Sequence, residues 1–541
     1  MGKPDVFLPS RWIRQCAAWL RDHPTDSAAI VAALTLSLLV IVGPFFATDR
    51  PPLVDLPTHA AQISIFRHYF DPAFHFREQF TLHPLQVPYL SMFAVGSIAA
   101  LVFPITGAAK ISVLSMLCLL PVGLAVFFLG MKKSPYWGLL GLGLIWTEVL
   151  SWGFASYLGA LGLSAMAIGI ALMVLDSPSR KKQIALALVL LVIFFTHIYR
   201  LPFTLLCIGL TAGVLYPACG RLRPVLLPML PALLALSCWL GVRTVDTALS
   251  LGELRLEIGR LPTLGRHVFG SYLHAAGARE TQLGGWLLTA AAGLGLLATA
   301  LFFVQGRHRT ETRRKRYWGA GVTALPALIA VAYLFTFLVL PLNIGQWYFV
   351  YPREAVSVVF FALGMMPDLP RAWSWRVPMF AVVAATTLPM SSFVFDRWSE
   401  FQSESEQLDQ AISRMRPAPK LSYLIFEPQG DTSQAHPPVL HFPAWVQAEL
   451  GGAQSFSVLQ FGHSPIRYRK DSTWTPPLAP ARWEWTPQQF DIGEHGTWFD
   501  TFLVRMHSNV DPSSLFHADP SIRLSGHFGR WWLFSRDRTN N

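Results

Sequence analysis

"AAIVAALTLSLLVIVGPFFATDRPPLVDLPTHAAQ" (residues 28–62) joins two unlike halves. Residues 28–47 carry no charge, and at about 1.5 Å rise per residue a helix of that length crosses a hydrocarbon core of about 30 Å. The half that follows, "PPLVDLPTHAAQ" (51–62), sets Asp55 and His59 four residues apart among prolines. An anchor that opens onto a polar loop makes the fold question one of membrane topology. Composition agrees: of 541 residues 52% are hydrophobic and 14% charged, against about 25% charged in soluble domains. Mean hydropathy is +0.39. The chain reads as a polytopic α-helical membrane protein.

Working outward, the apolar runs are roughly 28–47, 88–105, 109–130, 136–151, 155–176, 183–198, 200–217, 224–240, 285–305, 317–340, 353–367 and 376–395. Counting all twelve as crossings scatters the basic loops over both sides. Run 88–105 starts after "HPLQVP" and ends in "FPITG", so proline and glycine interrupt it, as suits a re-entrant or surface helix. About eleven spans then remain. Lys132 and Lys133, Arg180 to Lys182, Arg221, Arg223, "RHRTETRRKR" (307–316), Arg371 and Arg376 all fall on one side, which the positive-inside rule makes cytoplasmic. The expected topology is N-terminus in and C-terminus out. Residues 1–27 form a cytoplasmic segment in which "RWIRQCAAWLR" (11–21) is an amphipathic surface helix; it is expected to remain rather than be cleaved. Residues 28–395 form the transmembrane domain with an outer loop over 48–108.

From residue 396 onward there are 13 Lys/Arg against 16 Asp/Glu, so the net charge of +11 resides in the membrane part. That distribution points to membrane orientation rather than to nucleic acid. Residues 396–541 read as a soluble α/β domain. "KLSYLIFEP" (420–428), "FDTFLVRM" (499–506) and "RWWLFSR" (530–536) are expected strands, and "SESEQLDQAISRMRP" (403–417) an amphipathic helix stopped by proline. The five cysteines (Cys16, Cys118, Cys207, Cys219, Cys238) form no CxxC pair.

This topology gathers the scarce polar residues on the outer face. Asp55 is a candidate general base if partly desolvated; the competing reading makes it the N-cap of a helix with Pro57 in the first turn. His59, one turn on, shares that face and serves either a substrate or an interface. Glu148 in "LIWTEVLSWGF" (144–154) is an ionisable group near the end of a span, and such groups point to function; otherwise it pairs with a buried arginine or caps the turn before Gly153. His197 and Arg200 in "FFTHIYRLPF" (194–203) either bind an oxyanion or, for Arg200, snorkel to the interface. Tyr351 and Arg353 in "WYFVYPRE" (347–354) are an aromatic-belt residue and an anion ligand, or Arg353 pairs with Glu354. Histidines of "HPPVLHF" (436–442) have no recognisable metal spacing and read as fold residues. No HExxH, GxSxG, P-loop or dinucleotide fingerprint occurs.

The order of parts resembles the membrane glycosyltransferases of the C-type (GT-C) fold, which use polyprenyl-phosphate-linked sugars. An essential acid near the start of the first outer loop marks that superfamily, and Asp55 of "VDLPTH" matches its position. "DLPTH" also looks like a D-x-P-x-H opening of bacterial members, and "WGFASYLGALGLSAMAIGIAL" (152–172) looks like their Gly/aromatic-rich span. "FFTHIYRLPF" similarly looks like their mid-chain histidine. Many relatives carry paired acids where this chain has Asp55 alone, so a divalent metal stays open and no other cofactor is implied. The resemblance implies a bacterial inner-membrane enzyme with a periplasmic tail. Its donor would be a polyprenyl-phosphate sugar, its acceptor an envelope glycan, lipid or protein, and its outcome inversion. Asp55 would be the base. Arg353, His197 and Arg200 would hold phosphate, with Tyr351 beside them, and His59 and Glu148 would position sugar or metal. The alternatives are an envelope lipid or glycan transporter or flippase, for which no inverted repeat is legible, and a non-catalytic assembly subunit.

Overall fold

The computed structural model describes residues 24–84, 88–242, 253–269, 313–345, 347–370, 372–430, 436–461, 464–477 and 483–537, with Trp286 and Gly293. The helix expected at 11–21, most of run 285–305, and Arg371 lie outside these residues. Seven described helices are long and apolar enough to cross a membrane: Thr25–Phe46, Ile105–Gly130, Ala155–Asp176, Arg200–Cys219, Arg223–Gly241, Arg314–Val339 and Trp373–Ser413. Helices satisfy their backbone polar groups internally, as lipid requires. Aliphatic side chains cover their outward faces: Val31, Leu34 and Leu38 on the first span are exposed, as are Leu226, Leu230 and Leu234 at successive turns of Arg223–Gly241. The chain is a polytopic helical membrane protein with a C-terminal sheet.

At the centre, Ile105–Gly130 and Ala155–Asp176 touch backbone to backbone. A Cβ at Gly123 or Gly130 would strike the carbonyl of Gly162 or Gly169, and one at Gly162 or Gly169 the carbonyl of Leu119 or Val126. Small residues one heptad apart on both helices permit that approach, which supplies dispersion contact where no hydrophobic driving force exists.

Two expected crossings take other forms, and a third is short. Run 136–151 is a 3-10 segment, Pro135–Leu144, and a single turn, Glu148–Ser151. Its glycines carry the reason: a Cβ at Gly138 would meet Pro121 O and Ala125 Cβ at 2.6 and 2.7 Å, so the segment is pressed against the neighbouring helix. Glycine also weakens an α-helix by about 1 kcal/mol per residue. Val350–Ala362 has 13 residues and Arg180–Thr196 has 17; at 1.5 Å per residue they span about 20 and 26 Å. Ser91–Ala99, within the run read as non-crossing, has nine residues.

Trp373–Ser413 runs unbroken for 41 residues, about 60 Å. The expected boundary at 396 therefore falls inside one helix, and the expected span 376–395 and amphipathic helix 403–417 are one element that stops short of Pro417. The change in composition there alters what the helix faces, not its backbone.

The tail's sheet has the order β3-β2-β5-β7-β6, from β2 (Lys420–Ile425), β3 (Ala453–Gln454), β5 (Thr501–Arg505), β6 (Ile522–Phe528) and β7 (Trp531–Arg536). β2 is parallel to β3 and β5, and β7 is antiparallel to β5 and β6. Strands β2, β5 and β7 lie within the expected runs. Short β3 and mostly exposed β6 lack the apolar pattern that would announce them. Glu404 on the long helix holds buried Arg505 of β5 through two bonds of 2.7 and 2.8 Å, the bidentate geometry that suits arginine.

The 48–108 segment and the tail pack together. β1 (Phe80–Leu82) pairs antiparallel with β4 (Ile466–Tyr468). Ser464 Oγ donates to Gln62 Oε1 at 2.9 Å, and Arg50 pairs with Asp409 and Glu449, each at 2.5 Å. The opposite pole gathers the helix ends near Asp26, Lys132, Asp176 and Arg376. Lys132 pairs with Asp176 at 2.8 Å, Arg376 with Asp26 at 2.5 Å, and Lys133 donates to Met366 O at 2.6 Å.

Candidate functional site

Asp55 occupies the N-cap of Leu56–Arg67, but its side chain accepts no capping hydrogen bond. The capping alternative is therefore not what the carboxylate does. The backbone fixes its place instead: Val54 N–H donates to Ser151 O at 3.0 Å and Asp55 N–H to Trp152 O at 3.1 Å. Next comes Gly153 at φ +91°, where a Cβ would lie 2.8 Å from Asp55 N and 2.9 Å from its Cβ. Only glycine combines that dihedral with that space. The turn "SWGF" (151–154) thus cradles Asp55 from below.

Protein surrounds the carboxylate, yet 23% of its side-chain surface stays open, as in a crevice. Burial lifts its pKa from the usual carboxylate range to about 7, with the Arg353 cation acting against the rise. Burial of a charge favours the neutral acid; a nearby cation favours the carboxylate. His59, on the same helix, is hydrogen-bonded to the Gly153 backbone, and burial lowers its pKa to about 4 against that bond. Its ring lies 5.7 Å from that of Phe93.

Arg353 stands across the crevice. It donates from Nη2 to Tyr348 O at 2.7 Å and its guanidinium lies 3.6 Å from the Phe154 ring centroid. Its expected alternative partner, Glu354, is taken: Glu354 pairs with Arg200 at 2.8 Å, with side chains 5% and 1% exposed. Arg200 also donates to Ser357 Oγ at 2.7 Å and lies between the rings of Tyr157 and Tyr333. An arginine so closed in and already neutralised offers nothing to a phosphate, and it does not snorkel. The expectation that Arg200 binds phosphate is corrected on that ground.

His197, between Arg180–Thr196 and Arg200–Cys219, is buried among Tyr89, Tyr157 and Tyr199, and its Nδ1 has no protein partner. Glu148 pairs with neither of its expected partners. His267 Nδ1 lies 2.9 Å from Oε2 and His436 Nε2 3.3 Å from Oε1. Tyr351 packs against His267 and Phe337, and Arg260 covers its ring at 3.9 Å. Its face is engaged by protein.

Trp152 joins the two acids. Its ring meets Tyr348, Phe349 and His436, and with Val54, Phe349 and Leu440 it forms a small buried cluster, Phe154 alongside. Asp55, His59, Arg353 and Glu148 are thus gathered at one end of the bundle, with His197 behind them. Sequence reasoning passed over His267 and read His436 and His441 as fold residues; the structure places His267 and His436 against Glu148 and His441 Nε2 3.7 Å from Asp55 Oδ1. The pair of histidines in "HPPVLHF" was the available signal. Among the described residues, no group of three or more His, Cys, Asp or Glu is placed to hold a metal ion. The arrangement supplies a carboxyl whose pKa burial raises to about 7, with the Arg353 cation acting against the rise, in a crevice at one end of the bundle.

No family model matches the chain, and no curated protein matches it. Among solved structures it is similar to the Archaeoglobus fulgidus oligosaccharyltransferase tethered with an acceptor peptide containing the NVT sequon via a disulfide bond. Identity is 13% and the TM-score 0.35, over 82% of this chain and 65% of that one. The chain thus spans just under two thirds of that structure's length.

Proposed function

We propose that this protein is a membrane glycosyltransferase that moves a sugar from a polyprenyl-phosphate donor to a cell-envelope acceptor at its outer face. The observation that carries the reading is Asp55: a carboxylate released from capping, held by a glycine turn, with a pKa of about 7 and Arg353 acting on it. A general base works best with a pKa near the working pH.

In this reading the acceptor's hydroxyl oxygen attacks the anomeric carbon. The new C–O bond forms as the bond to the phosphate oxygen breaks, and that electron pair leaves with the lipid phosphate. Asp55 takes the hydroxyl proton. Arg353 meets the charge developing on phosphate, a preorganised electrostatic contribution, and His197 lines the same end of the bundle. A single displacement inverts the sugar centre. His59 and Glu148 position the sugar. The exposed side chains of Ile98, Leu101 and Val102 would lie along the lipid tail.

Asp55→Asn tests this. With a radiolabelled polyprenyl-phosphate hexose as donor and envelope membranes as acceptor, the variant loses transfer by about 10²-fold or more while remaining inserted and folded. Transfer at the wild-type rate would refute the assignment.

A further inference from the structure

One short loop of the tail reaches both outer carboxylates. His441 Nε2 lies 3.7 Å from Asp55 Oδ1, and His436 Nε2 lies 3.3 Å from Glu148 Oε1. Between them Pro437 and Pro438 restrict the backbone. Leu440 N–H donates to Pro437 O at 3.2 Å, Phe442 N–H to Val439 O at 3.0 Å and Ala444 N–H to His441 O at 3.0 Å. These turns lead into the Ala444–Leu450 helix, and Leu440 packs into the Val54–Trp152–Phe349 cluster. The His441 ring stacks on Phe456, centroids 5.4 Å apart and planes at 12°. It is 8% exposed, and Nδ1 has no protein partner. The ring is thus held with its Nε2 edge toward Asp55.

Arg353 from Val350–Ala362 acts on the Asp55 carboxyl through its charge, His441 reaches it from the tail, and His59 lies one turn on along the helix that Asp55 opens. The "SWGF" turn contributes backbone only. His59 is engaged by the Gly153 backbone and Arg353 by Tyr348 O. Burial, aided by His59, lowers the His441 pKa to about 4, so at neutral pH its imidazole is an uncharged donor. At 3.7 Å the contact exceeds a hydrogen bond, and such contacts tighten when substrate binds.

We propose, resting on the glycosyltransferase reading, that His441 is a positioning residue contributed by the tail. Its Nε2–H holds one oxygen of Asp55 so that the other faces the acceptor hydroxyl, and His436, against Glu148, sets the loop that carries it. The membrane domain alone is then an incomplete enzyme.

The test uses the full chain in detergent. A water-soluble carbodiimide with glycine ethyl ester couples to protonated carboxyls, and mass spectrometry of the Asp55 peptide gives the pH midpoint of labelling. His441→Phe keeps the stack on Phe456 and removes the donor. The midpoint moves up by about one pH unit, since a hydrogen bond to a charged group is worth about that much. The kcat of polyprenyl-phosphate hexose transfer falls roughly tenfold at neutral pH, with KM unchanged and the profile displaced to higher pH. His441→Gln, which keeps a donor, restores much of both. A wild-type midpoint in His441→Phe overturns the proposal. If wild-type protein transfers no sugar while the midpoint still responds to residue 441, the glycosyltransferase reading fails and the Asp55–His441 coupling stands.

Discussion

Asp55 is placed where the fold penalises its charge, and that has a measurable sign. Its folded-state pKa of about 7 lies above the 3.8 of a free side chain. A carboxyl raised in this way favours folding in its protonated form. The associated stability is fully present below about pH 4 and is lost as pH rises through about 7. Asp55→Asn keeps the shape and cannot ionise. In detergent its melting temperature should approach wild type as pH falls below 4 and exceed it at pH 8, the gap there corresponding to at most about 4 kcal/mol. Equal melting at pH 8 would mean a well-solvated carboxylate and would remove the reason to regard Asp55 as a tuned base. A higher melting temperature at pH 8 would make Asp55→Asn a substitution that loses transfer and adds stability, the trade expected where a site stores unfavourable electrostatics. Asp55 was legible in sequence because it stands alone between prolines after an anchor. The approach of His441 to it was not: His441 lies almost four hundred residues further on, and no local pattern relates the two.

Among the elements, the long helices were legible because lipid requires one thing of them, an unbroken apolar run, and sequence displays it. Residues 136–151 satisfy the same pattern yet form a 3-10 segment and one α turn. Hydropathy records what surrounds a segment, not its hydrogen bonding, and Gly138 against Pro121 decides the matter here. The reverse error occurs in Trp373–Ser413, where a change from apolar to charged residues resembles a boundary although the backbone continues. Glycines at 123, 130, 162 and 169 make the central helix pair a specific contact rather than a generic apolar one. Gly162→Leu puts a branched side chain against Leu119 O, and neither helix can withdraw without opening the bundle core. We expect that variant to destabilise by about 3 kcal/mol or more, since overpacking a filled contact typically costs 1–3. Thermal unfolding in detergent measures it. Gly213→Leu, where no atom lies within 4 Å of a new Cβ, is the control and should melt as wild type does.

At the scale of the whole molecule, the two poles carry different chemistry. Asp55, Glu148, Arg353 and the sheet-bearing tail share one end, and β1 pairing with β4 makes that independent of any topology argument. Lys132, Lys133, Lys182 and Arg376 mark the other, tied together through Asp176, Met366, Ser177 and Asp26. Positive charge within short loops is retained on the cytoplasmic side of a membrane, so the basic pole should face the cytoplasm and the crevice outward, where lipid-linked sugars would meet envelope acceptors. That orientation can be measured without any substrate. In a variant whose five native cysteines are replaced, Asp471→Cys in the exposed β4 loop should react with a membrane-impermeant maleimide on intact cells. Lys181→Cys, exposed at the basic pole, should react only after permeabilisation. Reaction of both from outside would contradict the two-pole arrangement itself. Reaction of residue 181 alone would reverse the orientation, and with it the compartment in which Asp55 could find an acceptor.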